Sequence, residues 1–556
     1  MVTFDEEKQK KRLEELRTKE AEDVSRMLSD KYGIPYSDLS IVPINTDALR
    51  LFPEETARDA KIAVFKLAGK QASIGVLSPE REKTIMVLKD LENQGYVPHV
   101  FLVSERSLER AWERYKEISY AKESTEGVLE VAHEQIASFL EKLKTSADVK
   151  KLVEEIARGK QKFHTSSLVE AFISGALGTE ASDIHIEPEE HFVRLRLRLD
   201  GVLQDIVEFE PKIYKLVLSR IKILSGLKLN VRDEAQDGRF SIKLKDIEIE
   251  VRVSVIPGAY GESVVMRLLN PKAISVPMKE LGIEERLFKT LEHEIGRPNG
   301  MILNTGPTGS GKATTLYAFL KRIHTPKIKI ITIEDPIEYH LPGITQTQVN
   351  DDEGYTFLAG LRAAMRQDPD VIMVGEIRDH DTAETAVNAA LTGHLVLSTL
   401  HTNSAAGAIP RLIELGVNPK ILGSALNVAI AQRLVRKLCS ACKKKGDPTQ
   451  EDLKIVEVII ATIPKEIVPK TFEFWYPVGC EKCNNTGYKG RIGLFEAVRM
   501  NKEIEKLTTE NPSEREIKEQ ASSQGILDMR QDGILKVVNG VTTLDELRSV
   551  LELETI

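Results

Sequence analysis

The segment GPTGSGKATTLY, from Gly306 to Tyr317, constrains the fold of this chain more than any other part of the sequence. It follows an apolar, strand-like stretch and leads into a helix-like one, which is the setting of a phosphate-binding loop. In such a loop the backbone N–H groups, the helix N-terminus and Lys312 offer positive charge to phosphate oxygens. The segment therefore predicts a nucleotide-binding α/β core. The residues predicted to bind the nucleotide are Gly306, Pro307, Thr308, Gly309, Ser310, Gly311, Lys312, Ala313, Thr314 and Thr315.

The loop departs from its usual pattern at one position. The pattern asks for Ser or Thr after the lysine, because that hydroxyl binds Mg²⁺, and this chain has Ala313. Thr314 does not replace the hydroxyl, because one step along a helix turns a side chain by about 100°. Mg²⁺ tolerates water as a ligand, so we expect looser metal binding and hydrolysis slowed roughly ten- to a hundredfold. A nucleotide binder that does not turn over stays open as an alternative.

Length and charge limit the class of protein. At roughly 100–200 residues per domain, 556 residues predict about three to five domains. A net charge of −8 argues against a protein that coats nucleic acid, so we expect no direct nucleic-acid partner. No apolar run reaches the ~18 residues of a membrane span, and the charged start lacks the apolar centre of a signal peptide. We therefore expect a cytoplasmic protein, with any peripheral membrane role coming through partners.

Around the phosphate loop, short apolar segments alternate with helical ones. MILN, KIKIITI, DVIMVG and HLVLSTL are typical of strands, and their alternation with helices predicts a parallel sheet with crossover helices. Acidic residues follow two of these strands, among them Glu334 and Glu338 in ITIEDPIEY and Glu376 in DPDVIMVGEIRD. Because the carboxyl ends of parallel strands share one edge, we expect these carboxylates near the phosphates, with Glu376 ordering the metal or its water.

Before this core, two segments with period-two patterning predict strands with one apolar face. Residues 193–199 alternate apolar side chains with arginines, and an Asp-Gly turn follows; residues 247–255 alternate apolar with polar side chains of mixed charge. We interpret Arg194 and Arg196 as part of a solvated strand face.

The cysteines Cys439, Cys442, Cys480 and Cys483 form two C-x-x-C pairs. In a large cytoplasmic chain such pairs favour a metal over a disulfide, and two pairs complete the tetrahedral shell of one Zn²⁺. A shell of four thiolates has no open position, so the predicted zinc is structural. The alternative interpretation is two unrelated thiol motifs.

Several longer motifs occur together. GPTGSGKATTLY, TIEDPIEY, DPDVIMVGEIRD and TGHLVLSTLHTNSAA follow one another in this order, and SDIHIEP, RLRLRLDGVL, QDGRF and MRQDG are present as well. Over about residues 165–556, and more loosely before them, the chain resembles the ATPases of type IV pilus and type II secretion systems, in particular the PilB and GspE types. The resemblance implies a multidomain α/β fold. This fold has a RecA-like P-loop ATPase core, a preceding α+β (PAS-like) domain, a small N-terminal α/β domain and a zinc-binding C-terminal subdomain.

The resemblance, together with changes in hydrophobic patterning and charge along the chain, divides the chain into parts. The predicted parts are an N-terminal GspE/PilB-type domain (1–118), a linker (119–164), an arginine-delivering α+β domain (165–275), the RecA-like ATPase domain (276–436), a tetracysteine zinc subdomain (437–495) and a C-terminal helical tail (496–556).

The resemblance also implies roles for single residues. Glu338 would be the base that activates water, and Glu376 the acidic residue of the metal site. A histidine box contains His394 and His401, and we favour His401, which follows a strand, because one imidazole suffices to sense phosphate. The domain before the core would swing over the nucleotide and deliver arginines that neutralise the transferred phosphate. The implied catalytic residues are Lys312, Glu338, Glu376, His401, Arg252, Arg267, Arg362 and Arg366.

In this family the ATPase is a hexameric ring that uses ATP and Mg²⁺, often carries Zn²⁺, and acts on an inner-membrane platform protein of the PilC/GspF type. The resemblance thus implies a homo-hexamer that drives pilin polymerisation. The partner expected at the N-terminal domain is a cytoplasmic regulator or a membrane anchor. The tetracysteine element favours filament assembly over disassembly. The alternatives are a type II secretion or DNA-uptake pseudopilus motor, a nucleotide-binding subunit without turnover and, disfavoured by the acidic balance, a nucleic-acid motor.

Overall fold

The structure, a computed structural model, describes residues 22–39, 41–42, 44, 46–49, 51–68, 70–93, 95–117, 133–158, 164–244, 247–270 and 276–553. The chain divides into two compact units, Met1–Lys122 and Glu123–Ile556. Within the described ranges, no helix combines the length and the apolar character that crossing a bilayer requires.

The first unit is the small α/β domain that the sequence predicts. Its strands are β1 (Ile62–Ala68), β2 (Gln71–Val76) and β3 (Val97–Leu102), and its helices are α1 (22–32), α2 (Thr46–Leu49), α3 (Glu54–Asp59), α4 (Glu82–Asn93) and α5 (Glu105–Glu113). β1 and β2 pair antiparallel, whereas β2 and β3 pair parallel. The indole of Trp112 is buried and donates to the Ile62 carbonyl oxygen at 2.9 Å, so α5 is held against β1 by both packing and a hydrogen bond.

The second unit begins with an antiparallel sheet whose apolar face is covered by helices. Its strands are β4 (Asp183–Pro188), β5 (Val193–Leu199), β6 (Val202–Phe209), β7 (Gln236–Leu244), β8 (Ile247–Gly258) and β9 (Gly261–Leu269), and its helices are α6 (His133–Lys142), α7 (Ser146–Arg158), α8 (His164–Gly178) and α9 (Pro211–Leu224). The strands lie in the order β6-β5-β4-β9-β8-β7. In β5 the aliphatic side chains are buried and the arginines are half-exposed, so the predicted alternation is confirmed.

Part of the segment that the sequence assigns to a linker, 119–164, is helical. Residues 119–132 and 159–163 lie outside the described residues, but α6 and α7 pack on α8 and add Ile136 and Val153 to the core of the antiparallel-sheet domain. α7 approaches α8 so closely that a Cβ on Gly175 would lie 2.7 Å from a methyl carbon of Val149. These helices have a charged face, but they also carry a buried apolar stripe. The domain therefore begins before residue 165.

A mainly parallel sheet between two helical layers forms the rest of the second unit. Its first strands are β10 (Gly300–Thr305), β11 (Ile330–Glu334), β12 (Thr345–Gln348), β13 (Val371–Val374), β14 (Leu395–Leu400) and β15 (Leu426–Leu438), with helices α10 (Glu285–Ile295), α11 (Lys312–Ile323), α12 (Phe357–Met365), α13 (His380–Leu391), α14 (Ala408–Glu414) and α15 (Pro419–Ala425). The predicted strands MILN, KIKIITI, DVIMVG and HLVLSTL correspond to β10, β11, β13 and β14 and are confirmed. Side chains of β10 alternate between two separate buried clusters, one on each face of the sheet.

The cysteine segment and the tail complete this sheet. The remaining elements are β16 (Lys444–Lys445), β17 (Trp475–Tyr476), β18 (Tyr488–Arg499), α16 (Gln450–Ile460), α17 (Lys502–Thr508), α18 (Glu514–Ala521), α19 (Met529–Val538) and α20 (Leu544–Arg548). β18 pairs antiparallel with β15, which gives the strand order β12-β11-β13-β14-β10-β15-β18.

Two predicted domain boundaries fall inside strands of this sheet. β15 crosses the boundary at 436/437, and β18 crosses the one at 495/496. The tail helices also pack on the sheet: the buried Asp532 of α19 accepts from the Phe495 N–H at 2.9 Å and pairs with Lys536 at 2.5 Å. The tetracysteine segment is therefore an insertion between two strands of the mainly parallel sheet, and the tail belongs to the same core.

Candidate active site

The phosphate loop joins the buried strand β10 to α11, in the predicted strand–loop–helix setting. Gly306, Gly309 and Gly311 have φ angles of 144°, 79° and 90°, which residues with a Cβ rarely adopt. A Cβ on Gly306 would lie 2.6 Å from the Gln432 carbonyl oxygen, whereas a Cβ on Gly309 would meet no heavy atom within 4 Å. The loop is thus packed tightly at its base and open at its tip.

Lys312 is the first residue of α11 and folds over the loop. Its Nζ donates to the Gly306 carbonyl oxygen at 2.8 Å. Burial lowers the pKa of Lys312, with Glu376 opposing the shift and Arg433 adding to it. Ser310 is buried nearby, and among the described residues its hydroxyl has no hydrogen-bond partner. An ammonium group and an unpaired buried hydroxyl within a loop of backbone N–H groups fit a phosphate ligand.

A buried polar network supports the loop from below. The Gln432 side chain, on β15, accepts from the Asn304 amide at 2.9 Å and from the Thr315 hydroxyl at 2.8 Å. Thr315 is fully buried, so its side chain braces the loop, whereas the sequence predicted a direct contact with the nucleotide. Thr308 and Ala313 are exposed, at the open side of the loop.

Ala313 lies in the first turn of α11 with its methyl group exposed. It offers no oxygen to a cation, and the hydroxyl of Thr315 is already bonded to Gln432. Glu376 supplies a carboxylate close enough to Lys312 to influence its pKa. The residues near the loop therefore fit Mg²⁺ with one protein oxygen fewer than the usual loop pattern supplies.

Glu376 and His401 lie together at the edge of the sheet from which the phosphate loop leaves. β10, β13 and β14 run parallel, so the loops that follow them meet at this edge. The His401 Nε2 lies 3.2 Å from one oxygen of Glu376, and Arg378 pairs with the other oxygen. The Glu376 side chain is 13% exposed, so its two partners hold a largely buried carboxylate in place.

The two histidines of TGHLVLSTLHT lie at opposite edges of the sheet. His401 follows β14, whereas His394 precedes it. The Nδ1 of His394 lies 3.0 Å from the Ala389 carbonyl oxygen, and its own carbonyl accepts from the Gly300 N–H at 3.1 Å. These contacts give His394 a structural role, and they agree with the preference for His401.

The antiparallel-sheet domain meets the domain of the mainly parallel sheet at Glu338. Arg252, on β8, donates to the Ile337 carbonyl oxygen at 2.6 Å, and its Nη1 lies 3.7 Å from an oxygen of Glu338. Burial raises the pKa of Glu338, while the charges of Arg252 and Arg267 oppose the shift. A carboxyl group with a raised pKa is suited to accept a proton from water.

Glu334 is a supporting residue rather than a member of the open site. It is buried at the end of β11, where Thr332 donates to it at 2.5 Å and Gln346 at 3.0 Å. The phenol of Tyr317 donates to Glu334 and accepts from the Glu338 N–H at 3.3 Å. Through Tyr317, this network holds the backbone of Glu338 in position.

A row of charged residues crosses the antiparallel sheet. Cross-strand pairing aligns Arg239 of β7, Arg252 of β8, Arg267 of β9, Asp183 of β4 and Arg198 of β5. The buried Asp183 accepts from Arg267 Nε at 2.9 Å and lies 3.2 Å from Arg198 Nε. Burial raises the pKa of Asp183, but its hydrogen bonds and the two guanidinium charges outweigh this and hold the pKa below its usual value. Arg239, Arg252 and Arg267 line a cavity of about 580 Å³.

Arg362 and Arg366 are exposed and are not brought to this edge of the sheet. They lie on α12 and at its C-terminal end. The adjacent Gln367 carbonyl accepts from Lys329, which precedes β11, so Arg366 lies toward the opposite edge. Within one chain Arg366 is therefore separate from Lys312.

The four cysteines come together between β15 and β18. Their sulfurs all lie within 4.8 Å of one another, with separations of 3.9 Å from Cys439 to Cys480, 3.8 Å from Cys442 to Cys483 and 3.7 Å from Cys480 to Cys483. A tetrahedral zinc with Zn–S bonds of ~2.3 Å requires sulfur separations of roughly 3.8 Å, so the donor set fits Zn²⁺. Burial disfavours the Cys483 thiolate, but N–H groups of Cys480 and Gly487 outweigh it and lower the pKa of Cys483 to about 7.

Sequence reasoning missed several residues that support the site. Gln432 and Arg433 lie beneath and beside the phosphate loop, Arg378 pairs with Glu376, and Asp183 holds Arg267. The polar pair Gln432-Arg433 interrupts an otherwise apolar run in VAIAQRLV, and this interruption was the available signal.

Comparisons with known proteins agree with these observations. The family model described as type II/IV secretion system protein matches residues 159–549, and the MshEN domain model matches residues 32–123. The chain is 38% identical over 521 residues to the type IV pilus assembly ATPase PilB of Myxococcus xanthus, covering 94% of this chain and 89% of the relative. It is 42% identical over 458 residues to the type II secretion system protein E of Pectobacterium carotovorum subsp. carotovorum, covering 81% and 88%.

Among solved structures, the ATPase DotB of Legionella pneumophila matches with a TM-score of 0.51. The identity is 20%, over 71% of this chain and 98% of the other. At this identity the likeness indicates a shared fold and no more.

Proposed function

The chain belongs to the family of type II/IV secretion system proteins, and on that premise we propose that it is an ATP-hydrolysing motor that drives type IV pilus assembly. It would work as a homo-hexamer at the cytoplasmic face of the inner membrane and act on a platform protein there. The match to a pilus assembly ATPase over 94% of the chain supports this choice.

One observation carries the proposal. Arg252, from the antiparallel-sheet domain, is in contact with Glu338 of the ATPase core, at 3.7 Å. At the phosphate-loop edge of the same core, Lys312 lies within electrostatic range of Glu376, which contacts His401. The chain thus has a phosphate cradle and, between its two domains, a carboxylate paired with an arginine, which are the parts that phosphoryl transfer to water needs.

In the proposed reaction, the loop N–H groups and Lys312 hold the phosphates of ATP. Glu338 accepts the proton of the attacking water, because burial raises the pKa of its carboxyl group. Arg252 and Arg267 neutralise the charge that develops on the transferred phosphate. Glu376 would hold Mg²⁺ directly or through water, and the ion supplies further charge neutralisation when bound.

Hydrolysis would be converted into motion through the contact between the two domains. Binding of ATP between them favours closure of the Arg252–Glu338 contact, and release of phosphate removes the anion that both sides bind. In a ring, Arg362 and Arg366 are exposed and free to reach the nucleotide of a neighbouring subunit. The cysteine cluster would hold a structural Zn²⁺, and the N-terminal domain would bind a regulator or a membrane anchor.

A second candidate is the motor of a type II secretion or DNA-uptake pseudopilus. The 42% identity to a type II secretion system protein E supports it, since the same motor chemistry would drive a shorter filament. The two candidates differ in the filament assembled and not in the site.

Mg²⁺-dependent ATP hydrolysis by the purified chain and by Lys312→Ala tests the proposal, together with the mass of the assembly by light scattering. We expect hydrolysis by the unaltered chain, its loss in the variant and a hexamer with nucleotide. Nucleotide binding without any turnover would instead select a non-hydrolysing subunit. Restoration of pili or of secretion in a host that lacks the gene would then separate the two filament candidates.

A further inference from the structure

Arg433 lies beside the phosphate loop. β15 pairs in parallel with β10, and the register sets Ala431 opposite Thr305, the last residue before the loop. The side chain of Arg433 reaches the start of the loop, because a Cβ on Gly306 would lie 3.3 Å from its Nη1. The guanidinium group therefore occupies the point at which the chain leaves β10 for the loop.

The same guanidinium group reaches the loop that follows β14. Its Nη2 donates to the Asn403 carbonyl oxygen at 3.1 Å and lies 3.3 Å from the side-chain oxygen of Asn403. Asn403 belongs to the same short loop as His401, the histidine that contacts Glu376. The side chain of Arg433 thus contacts both the phosphate loop and the loop after β14. We call the latter, which contains His401 and Asn403, the histidine loop.

The positive charge of Arg433 interacts electrostatically with Lys312. It contributes to the lowered pKa of Lys312, and burial lowers the pKa of Arg433 itself while Glu496 opposes that shift. The groups that accept its hydrogen bonds, Asn403 and the Gln432 carbonyl at 3.1 Å, are neutral. Two partly buried cations that repel each other form a site whose energy falls when a multivalent anion binds between them.

We propose that Arg433 is a second phosphate-binding cation of this site, contributed by the same chain as Lys312, for nucleoside di- and triphosphates. The inference rests on the proposed ATPase function and names a further residue of its site. A guanidinium group suits the role because it offers several donors in a rigid fork that matches phosphate oxygens. Its bonds to Asn403 would also hold the histidine loop against the bound phosphates.

The test measures the affinity of the full-length chain for fluorescent ADP and ATP with Mg²⁺, at two salt concentrations. The variants are Arg433→Gln, Arg433→Lys and the control Arg515→Gln, which removes an exposed arginine that pairs with Glu519 on α18. Loss of a charge-assisted phosphate contact should weaken binding of both nucleotides by roughly ten- to a hundredfold in the glutamine variant and flatten its salt dependence. The lysine variant should keep the salt dependence and lose less affinity, and the control should match the unaltered chain.

Three results would overturn the inference. A glutamine variant that binds both nucleotides as tightly as the unaltered chain, with only a lower Tm without nucleotide, would make Arg433 a structural tie between loops. If Arg433→Gln does not fold, an Arg433→Met variant that folds and has unchanged affinity would overturn it, because methionine removes the charge. Failure of the unaltered chain to bind either nucleotide would overturn the proposed function first and this inference with it.

Discussion

Restoring the missing hydroxyl by Ala313→Thr should raise Mg²⁺-dependent ATP hydrolysis. Ala313 is exposed in the first turn of α11, so a threonine has room, and its lower helix propensity costs only about 0.5 kcal/mol. The threonine hydroxyl would supply a bound Mg²⁺ with the protein oxygen that Ala313 lacks. We expect about 1–3 kcal/mol of transition-state stabilisation, which corresponds to roughly ten- to a hundredfold in rate.

The assay compares steady-state hydrolysis and the Mg²⁺ dependence of nucleotide affinity for the unaltered chain, Ala313→Thr and Ala313→Val. Valine has the shape of threonine without its hydroxyl, so it separates metal binding from helix packing. An equal gain in the valine variant, or no gain in the threonine variant, would refute the reasoning. If the unaltered chain shows no turnover and threonine restores it, the absence of one hydroxyl group keeps an otherwise competent site inactive.

Further changes test the cysteine cluster and the proposed base. Cys439→Ser should reduce the zinc content below about one ion per chain and lower the Tm, because the shell loses a thiolate; unchanged zinc by elemental analysis would contradict the site. Hydrolysis should decline as pH falls through the pKa of Glu338, because only the unprotonated carboxylate accepts a proton. Arg252→Gln removes a charge that lowers this pKa, so the acidic limb of the pH–rate profile should move to higher pH; superimposable profiles would argue against the pair.

Much of the ATPase-type sheet could be predicted because its signals are local. Four apolar segments became β10, β11, β13 and β14, since their shortness and β-branched residues favour buried strands over helices. Glycine at 306, 309 and 311 indicated the loop, because glycine readily adopts a positive φ, and each of the three positions does have one. The two C-x-x-C pairs indicated one cluster, and their sulfurs do lie within 4.8 Å of one another.

Domain boundaries were harder to predict, because they depend on what each element packs against. α6 and α7 have the charged composition of a linker, yet Ile136 and Val153 are buried in the domain that follows. β15 and β18 flank the cysteine insertion in the sequence but pair with each other in the ATPase sheet. A boundary that is predicted from composition alone cannot take into account the pairing of segments so far apart in the chain.

By itself, the sequence determined the phosphate loop, the core strands and the cysteine pairs, because spacing within a few residues sets backbone geometry and ligand spacing. Only the tertiary structure decided which side chains meet. It brought His401 to the loop edge and His394 to the opposite one, and it set Gln432 and Arg433 against a loop more than a hundred residues earlier in the chain. The reason is physical: strand direction and register, which arise from pairing between distant segments, determine which edge of a sheet each side chain reaches.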